Sequence, residues 1–379
     1  MARELSHSAS SPASAGRGGA LDALRFVASL LIVLYHFGGD APVALETLHP
    51  VFERGYLATD FFLILSGFVL GRAYGAQVMS GRIGLLAFVR KRIARIWPGQ
   101  LVVLATLAGI VAVAGLAGVA PNNPEHFTAM GLAMQALLVQ AWGVPGGEGW
   151  NHQSWSLSAL IVCYAAFPLA WRWISRLNSP AALLSLGLTA VMLGDLICAI
   201  VLGRHIYDLD FHFGVIRAAP LFLLGICIAR LVETGRPSVG AAKIMAGLSL
   251  AAVVLLQIAG RFDLPSIAAI AAIVLSFGRL PVARPSALIE QGAKLSFALF
   301  ITHAVTGLLW FGALQALRGR VALPAWIDWS LWAMSLPAAF VAAALFHRFV
   351  DEPIQKWLAP RLKRPAPAAA PVEPTPASV

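Results

Sequence analysis

Two ionisable side chains, Arg25 and His36, stand in one apolar run near the start of the chain. On a helix, eleven steps of about 100° close to within about 20° of three full turns and rise about 16 Å. Both groups therefore share a face, at opposite ends of a membrane span. An ionisable group at membrane depth is costly, which makes it a functional candidate. A histidine there can serve as a general base and an arginine as an anion ligand. The plain structural alternative is that each side chain reaches for the nearer interface. Asp60 stands in the next run, about a turn and a half from its outer end and at a depth similar to His36. A carboxylate beside the imidazole would fix its tautomer and raise its basicity, so Asp60 is expected to orient His36.

A basic stretch, Phe88-Val-Arg90-Lys91-Arg92-Ile-Ala-Arg95-Ile-Trp97-Pro98, opens the third run. Arg92 and Arg95 share a face and would meet a phosphate near Arg25. Setting topology and binding acidic lipid head groups is the alternative use of such a cluster. His303 lies in the middle of a later run, where it is either functional or a hydrogen-bonded core residue. The segment Trp150-Asn-His152-Gln-Ser-Trp155-Ser156-Leu-Ser158 is aromatic and hydroxyl-rich, which suits a sugar or a membrane interface. Arg217, inside another run, needs a partner that the sequence does not name.

Other chemistries lack their signatures. There is no Walker A loop, Gly-x-Ser-x-Gly elbow or His-Glu-x-x-His motif. His205 and His212 are loop-borne and weak as a metal pair. Cys163, Cys198 and Cys227 each lie inside an apolar run without ligand spacing, and read as small buried residues. Neither a metal nor a disulfide is expected.

The elements that must position these groups are membrane helices. Of 379 residues, 59% are hydrophobic and 12% charged, with mean hydropathy +0.76. A soluble domain carries about 25% charged residues. Apolar runs lie near 21–38, 56–71, 98–119, 156–174, 181–203, 213–230, 243–260, 264–278, 295–314 and 327–347. Each approaches the roughly 17–25 residues that a bilayer requires. The expected fold is all-α, a polytopic bundle of about ten transmembrane helices.

A shorter run near 127–142 is decided by charge. If it does not cross, 21 of the 28 Lys and Arg fall on one side and five on the other, with Arg25 and Arg217 inside spans. If it crosses, the basic loops after it change sides. The positive-inside rule therefore favours ten spans, both termini cytoplasmic, and a re-entrant or interfacial 127–142. The net charge of +10 is accounted for by topology, and nucleic acid is not an expected partner. Residues 1–20 are Ser/Ala/Gly-rich and 358–379 Pro/Ala-rich, which reads as two disordered tails around a membrane domain at 21–357. The first apolar run contains Asp22, Arg25 and His36 and no small-x-small site follows it, so it is expected to stay as a helix rather than be cleaved as a signal peptide.

Six landmarks in order resemble the acyltransferase-3 family of bacterial membrane O-acyltransferases. Arg25-x10-His36 resembles its first-helix motif. Gly55-Tyr-Leu-Ala-Thr-Asp60-Phe-Phe-Leu-Ile-Leu-Ser66-Gly67-Phe68 resembles its Gly-Val-Asp-Leu-Phe-Phe-Val-Leu-Ser-Gly-Phe stretch. Phe88 to Pro98 resembles its basic run, and Trp155-Ser156-Leu157-Ser158 with Tyr164 and Phe167-Pro168 its Trp-Ser-Leu-Ser segment. Leu295 to His303 resembles Ser-x-x-Leu-Tyr-x-x-His, and Asp351-Glu352-Pro353 the Glu-Pro ending. The family has Glu after Trp-Ser-Leu-Ser-x, whereas 159–162 here are Ala-Leu-Ile-Val. That acid is absent or moved, with Glu148 one candidate.

The resemblance implies transfer of an acyl group, usually acetyl, from cytoplasmic acyl-CoA (acetyl-CoA) to an extracytoplasmic hydroxyl. It implies residence in the bacterial inner membrane, and a glycan or glycolipid acceptor with membrane lipid as a further partner. The catalytic set is then His36 as base, Asp60 as its orienting partner and Arg25. Arg90, Arg92 and Arg95 are the donor-phosphate ligands. Trp155, Ser156, His303 and Glu352 are the substrate-binding candidates. A transporter of a lipid-linked glycan or small anion would also explain polar groups in spans and basic inner loops, and a catalytically silent scaffold would fit the missing Glu.

Overall fold

The computed structural model describes residues 19–120, 123–209, 211–235, 238–282 and 286–362. Residues 1–18 and 363–379, where most of both expected tails fall, lie outside this range. Fourteen α-helices are described: α1 Ala20–Gly38, α2 Leu45–Leu48, α3 Leu57–Met79, α4 Leu85–Leu116, α5 Ala129–Leu137, α6 Trp155–Ile174, α7 Pro180–Leu202, α8 Gly214–Thr234, α9 Val239–Ile258, α10 Asp263–Arg279, α11 Ala287–Arg318, α12 Ala325–Ala333, α13 Ser335–Phe346 and α14 Glu352–Leu362. No strand occurs among the described residues. Serine caps start several helices: Ser179, Ser238 and Ser286 accept from the backbone N–H of Ala182, Ala241 and Ile289. α14 continues to Leu362, past the boundary expected at 357.

Among the described residues, nine helical stretches are long and apolar enough to cross a bilayer. The tenth expected span is α10, with 17 residues. At about 1.5 Å per residue it is about 25 Å long, at the lower limit for a span. The run at 127–142 holds only the nine-residue α5, about 13 Å long and too short to cross. All ten expected spans are thus helical, and the eleventh run is not a spanning element.

Two parallel pairings organise the bundle. α3 and α8 run in the same direction and touch through glycines. A Cβ on Gly67 would stand 2.1 Å from the Phe222 carbonyl oxygen, and one on Gly225 would stand 2.0 Å from that of Ile64. Gly71 meets Ala229 one turn further on. The Gly67-x3-Gly71 spacing thus serves backbone-to-backbone packing, which hydrocarbon solvent favours because it offers no hydrophobic drive between helices. α1, α4 and α11 form the second parallel group. Gly292 abuts Phe26, Gly307 abuts Phe37, and Gly99 abuts Phe297. Their amino ends carry Arg25, Arg92, Arg95 and Lys294 together at one end of the bundle. The three cysteines are buried and free, as expected.

Gly67→Val and Gly225→Val should each prevent the α3–α8 contact, because the obstructing atoms are backbone and cannot rotate away. Overpacking costs about 1–3 kcal/mol where side chains can yield; here the loss should exceed that range. Thermal unfolding of the detergent-solubilised variants checks it, with Gly109→Ala, at an open position, as the control expected to match the parent protein.

Candidate active site

The carboxyl end of α1 brings His36 against two further histidines. The His36 and His303 rings stack at 5.1 Å between centroids, and His152 stands edge-on to His36 at 5.7 Å. All three line one cavity of about 730 Å³ between α1, α4 and α11, together with Gln153. His303 is fully buried. Its Nδ1 lies 3.1 Å from the Leu299 carbonyl oxygen, so Nδ1 carries the proton and Nε2 keeps its lone pair. Nε2 is buried without a partner among the described residues.

His152 is held from behind by neutral amides and a hydroxyl. Asn151 Nδ2 donates to Gln100 Oε1 at 2.9 Å, and Asn151 N–H donates to Gln135 Oε1 at 2.9 Å. Ser154 Oγ accepts from Gln100 at 3.0 Å and Gln140 at 2.9 Å, and donates to the Asn151 carbonyl at 2.7 Å. Gln100, Gln135, Gln140, Asn151 and Ser154 are all buried. Ser158 continues the network, donating to the Leu138 carbonyl at 2.7 Å. Buried amides at this depth must find each other, because unpaired ones are expensive in low dielectric. The result fixes the short 3₁₀ turn His152–Ser154 at the start of α6. Sequence reasoning noted His152 only as part of an aromatic segment and gave Gln100, Gln135 and Gln140 no role; uncharged amides inside apolar runs give no strong hydropathy signal.

Asp60 does not orient His36. Its two oxygens accept from Arg217, Nε to Oδ1 at 2.8 Å and Nη2 to Oδ2 at 3.0 Å. The third guanidinium nitrogen donates to the Tyr207 carbonyl at 2.8 Å, and the rings of Tyr56 and Trp155 flank the cation. Equal depth put Asp60 beside His36 in the sequence analysis. The bidentate geometry and the α3–α8 register put it on Arg217, the arginine whose partner the sequence could not name. A second ion pair, Arg54 to Asp263 at 3.1 Å, lies at the same end, with the Tyr56 hydroxyl on the same carboxylate.

Trp155 and Ser156 do not line the histidine cavity. Trp155 packs on Gly214 beneath Arg217, and Ser156 is buried. Glu352 is far from the histidines in the chain's layout: it pairs with Lys356 at 2.8 Å and Arg348 at 3.4 Å at the start of α14. The neighbouring Asp351 is the buried acid of that motif. A π-type turn at His347–Asp351 carries it, and its carboxylate accepts from Arg95 Nη1 at 2.6 Å and Nη2 at 3.3 Å. Glu148 faces His126 at 3.7 Å rather than the histidine cavity, so it does not stand in for the family acid.

The basic cluster divides by partner. Arg95 is neutralised by Asp351 and lies over the Phe297 ring. Arg25 pairs with Asp22 at 3.4 Å. Arg90 is exposed. Arg92 donates to the Tyr74 hydroxyl at 2.6 Å and rests over the Tyr74 ring, with no acidic partner among the described residues. Its charge is the one in the cluster best placed to take an anion. Phe297, under Arg95, is six residues before His303 on α11, about 9 Å along the axis. Among the described residues, no group of three or more His, Cys, Asp or Glu could hold a metal ion.

The described residues thus form a polytopic helix bundle with a buried imidazole cluster and a separate cationic end. Residues 19–348 match the acyltransferase domain family (Acyl_transf_3), and the chain belongs to that family of acyltransferases. It is 34% identical over 165 residues to Acyltransferase MdmB of Streptomyces mycarofaciens, across 41% of this chain and 40% of that protein. The chain thus spans about two fifths of the length of that relative. It is 31% identical over 186 residues to Protein 2 in picA locus of Rhizobium radiobacter, across 46% of this chain and 91% of that protein. No solved structure matches the chain at a significant level.

Removing one member of a buried ion pair strands the other, at a cost of about 3–5 kcal/mol, whereas replacing both with apolar residues is often neutral. Arg217→Met should therefore destabilise the protein strongly, and Asp60→Leu combined with Arg217→Met should recover most of the loss. A thermal-melt double-mutant cycle measures this. A cycle with no coupling between the two sites would show that the pair does not hold α3 to α8.

Proposed function

We propose that the protein transfers an acyl group, acetyl in the first instance, from acyl-CoA to a hydroxyl of an extracytoplasmic or lipid-linked glycan in the bacterial cell membrane. The observation that carries this reading is the alignment of α1, α4 and α11. Parallel packing puts the cationic ends at one end of the bundle and His36, His303 and the cavity toward the other. A donor with a phosphate head and a long thioester arm fits that polarity. Arg92 takes the phosphate, and the thioester reaches the histidines along the helices. With ten spans and the positive-inside rule, the Arg92 end is cytoplasmic, as are both termini.

His36 makes the chemistry. Its ring lines the cavity, whose lining carboxylate, Asp40, sits at the rim against Gln315. An imidazole nitrogen accepts the proton of the acceptor hydroxyl as the oxygen attacks the thioester carbonyl. The new C–O bond forms, the C–S bond breaks, and the proton passes on to the leaving thiolate. His303, with Nδ1 committed to the Leu299 carbonyl, offers only an accepting Nε2 and holds the acceptor through a neighbouring hydroxyl that donates to it. His152 completes the cluster from the α6 side. Tight packing against two other rings fixes the His36 ring where a carboxylate would otherwise do so. Arg25 lies on the His36 face at the cationic end and adds positive potential there.

Steady-state kinetics on reconstituted protein separate these roles. His36→Gln should lower kcat by about 10²–10⁴-fold at normal expression, the usual range for a lost general base. Arg92→Ala should raise the acyl-CoA KM with kcat little changed. One charge-assisted contact is worth about 1.5–3 kcal/mol, or about 10–150-fold. Near-normal acylation by His36→Gln would remove the mechanism, and an unchanged donor KM in Arg92→Ala would return the cluster to a topological role.

A further inference from the structure

The cavity does not end at the histidines. It continues away from the cationic end as a groove between the later halves of α4 and α11. Along α11 it runs from His303 to Ala316, thirteen residues and about 20 Å. It is closed at His303, which is fully buried, and open at the far end, where Gly312, Ala313 and Ala316 are exposed. Small side chains on α11 make the room; a Cβ on Gly312 would meet nothing within 4 Å.

The groove is polar only at its two ends. Its middle is walled by Ile110, Val111 and Ala114 of α4 and by Ala304, Leu308 and Ala313 of α11. At the open rim, Gln315 donates to Asp40 at 3.4 Å. At the closed end, two buried acceptors have no donor among the described residues: His303 Nε2 and Gln153 Oε1. Buried acceptors of this kind call for hydroxyl donors. A free sugar lying along the groove would supply such donors at one end. It would also leave its remaining hydroxyls unpaired against apolar walls, each at a considerable desolvation cost.

We infer that the acceptor is an amphiphile, with a hydroxylated head at His36, His303 and Gln153 and an apolar body in the groove between α4 and α11. This rests on the acyl-transfer reading above and narrows its acceptor from glycans in general to those carrying an apolar body. The donor cannot be the occupant on that reading, because its phosphates are held at the opposite end of the same helices.

The test uses the full chain in lipid nanodiscs and an octyl glucoside bearing a diazirine in its alkyl chain. Photolabelled peptides should map to 107–120 and 304–316. Unlabelled octyl glucoside should compete at concentrations at least tenfold below glucose, since each buried methylene contributes about fourfold in affinity. Gly312→Trp and, independently, Ala313→Leu should cut the labelling at least fivefold in protein that melts at the parental temperature. Two outcomes overturn the inference: glucose competing as well as octyl glucoside, or labelling that both substitutions leave unchanged. Acyl-CoA hydrolysis by the parent protein is measured alongside. Hydrolysis without groove labelling sinks the groove and leaves acyl transfer standing. Groove labelling with no acyl-CoA turnover, with or without octyl glucoside, sinks acyl transfer and with it the assignment of the occupant as acceptor.

Discussion

A charge in hydrocarbon has to be answered from within the protein, and the Asp60–Arg217 pair is where this fold meets that demand. The two side chains are nearly inaccessible, and every guanidinium nitrogen is used. The pair can form only if α3 and α8 lie parallel and at one register. The glycine contacts two turns further along, at Gly67 and Gly225, require the same register. The ion pair and the glycine crossing therefore specify one arrangement, and either alone would be weaker evidence for it. Such pairs contribute less to net stability than to excluding alternatives, because desolvation offsets much of the attraction.

That commitment shapes the rest of the site. With Asp60 taken, the carboxyl end of α1 holds imidazoles with no carboxylate partner among the described residues, positioned by ring packing and by the Gln100–Asn151–Ser154 amide network. The molecule thus has two halves. α3, α6, α8 and their neighbours form a scaffold locked by charge and by backbone contact. α1, α4 and α11 form a parallel group with a cationic end, a histidine cluster and an apolar groove in sequence. Asp351, on its π-type turn, ties the last helices to Arg95 and keeps the cationic end of α4 in place.

The spans were legible because hydropathy and length are local properties; all ten apolar runs are helical, and α5 is too short to cross, as the charge asymmetry required. The shared face of Arg25 and His36 follows from helix geometry alone. His303 was singled out as a polar group at membrane depth, and it stacks on His36. Partner choice was not legible. Asp60 and His36 stand at similar depth on successive spans, yet Asp60 pairs 157 residues away with Arg217. Of Asp351 and Glu352, the sequence singled out Glu352, whereas Asp351 is the buried one, because a single-residue step around the π-type turn decides which is buried. The amide network escaped notice for a related reason: glutamine and asparagine carry no charge, and their importance appears only when they meet.

The central claim is that donor and acceptor reach His36 from opposite ends of one helix group. Proteoliposomes of uniform orientation test it most directly, with Arg82→Cys and Ala322→Cys, at exposed positions outside the cavity lining, labelled by an impermeant maleimide to mark the two faces. Acyl-CoA, which does not cross the bilayer, is supplied on one face at a time to vesicles holding an acylatable amphiphile. Product should form only when acyl-CoA is on the face where position 82 is labelled. Equal product from both faces, or product only from the face where position 322 is labelled, would contradict the account.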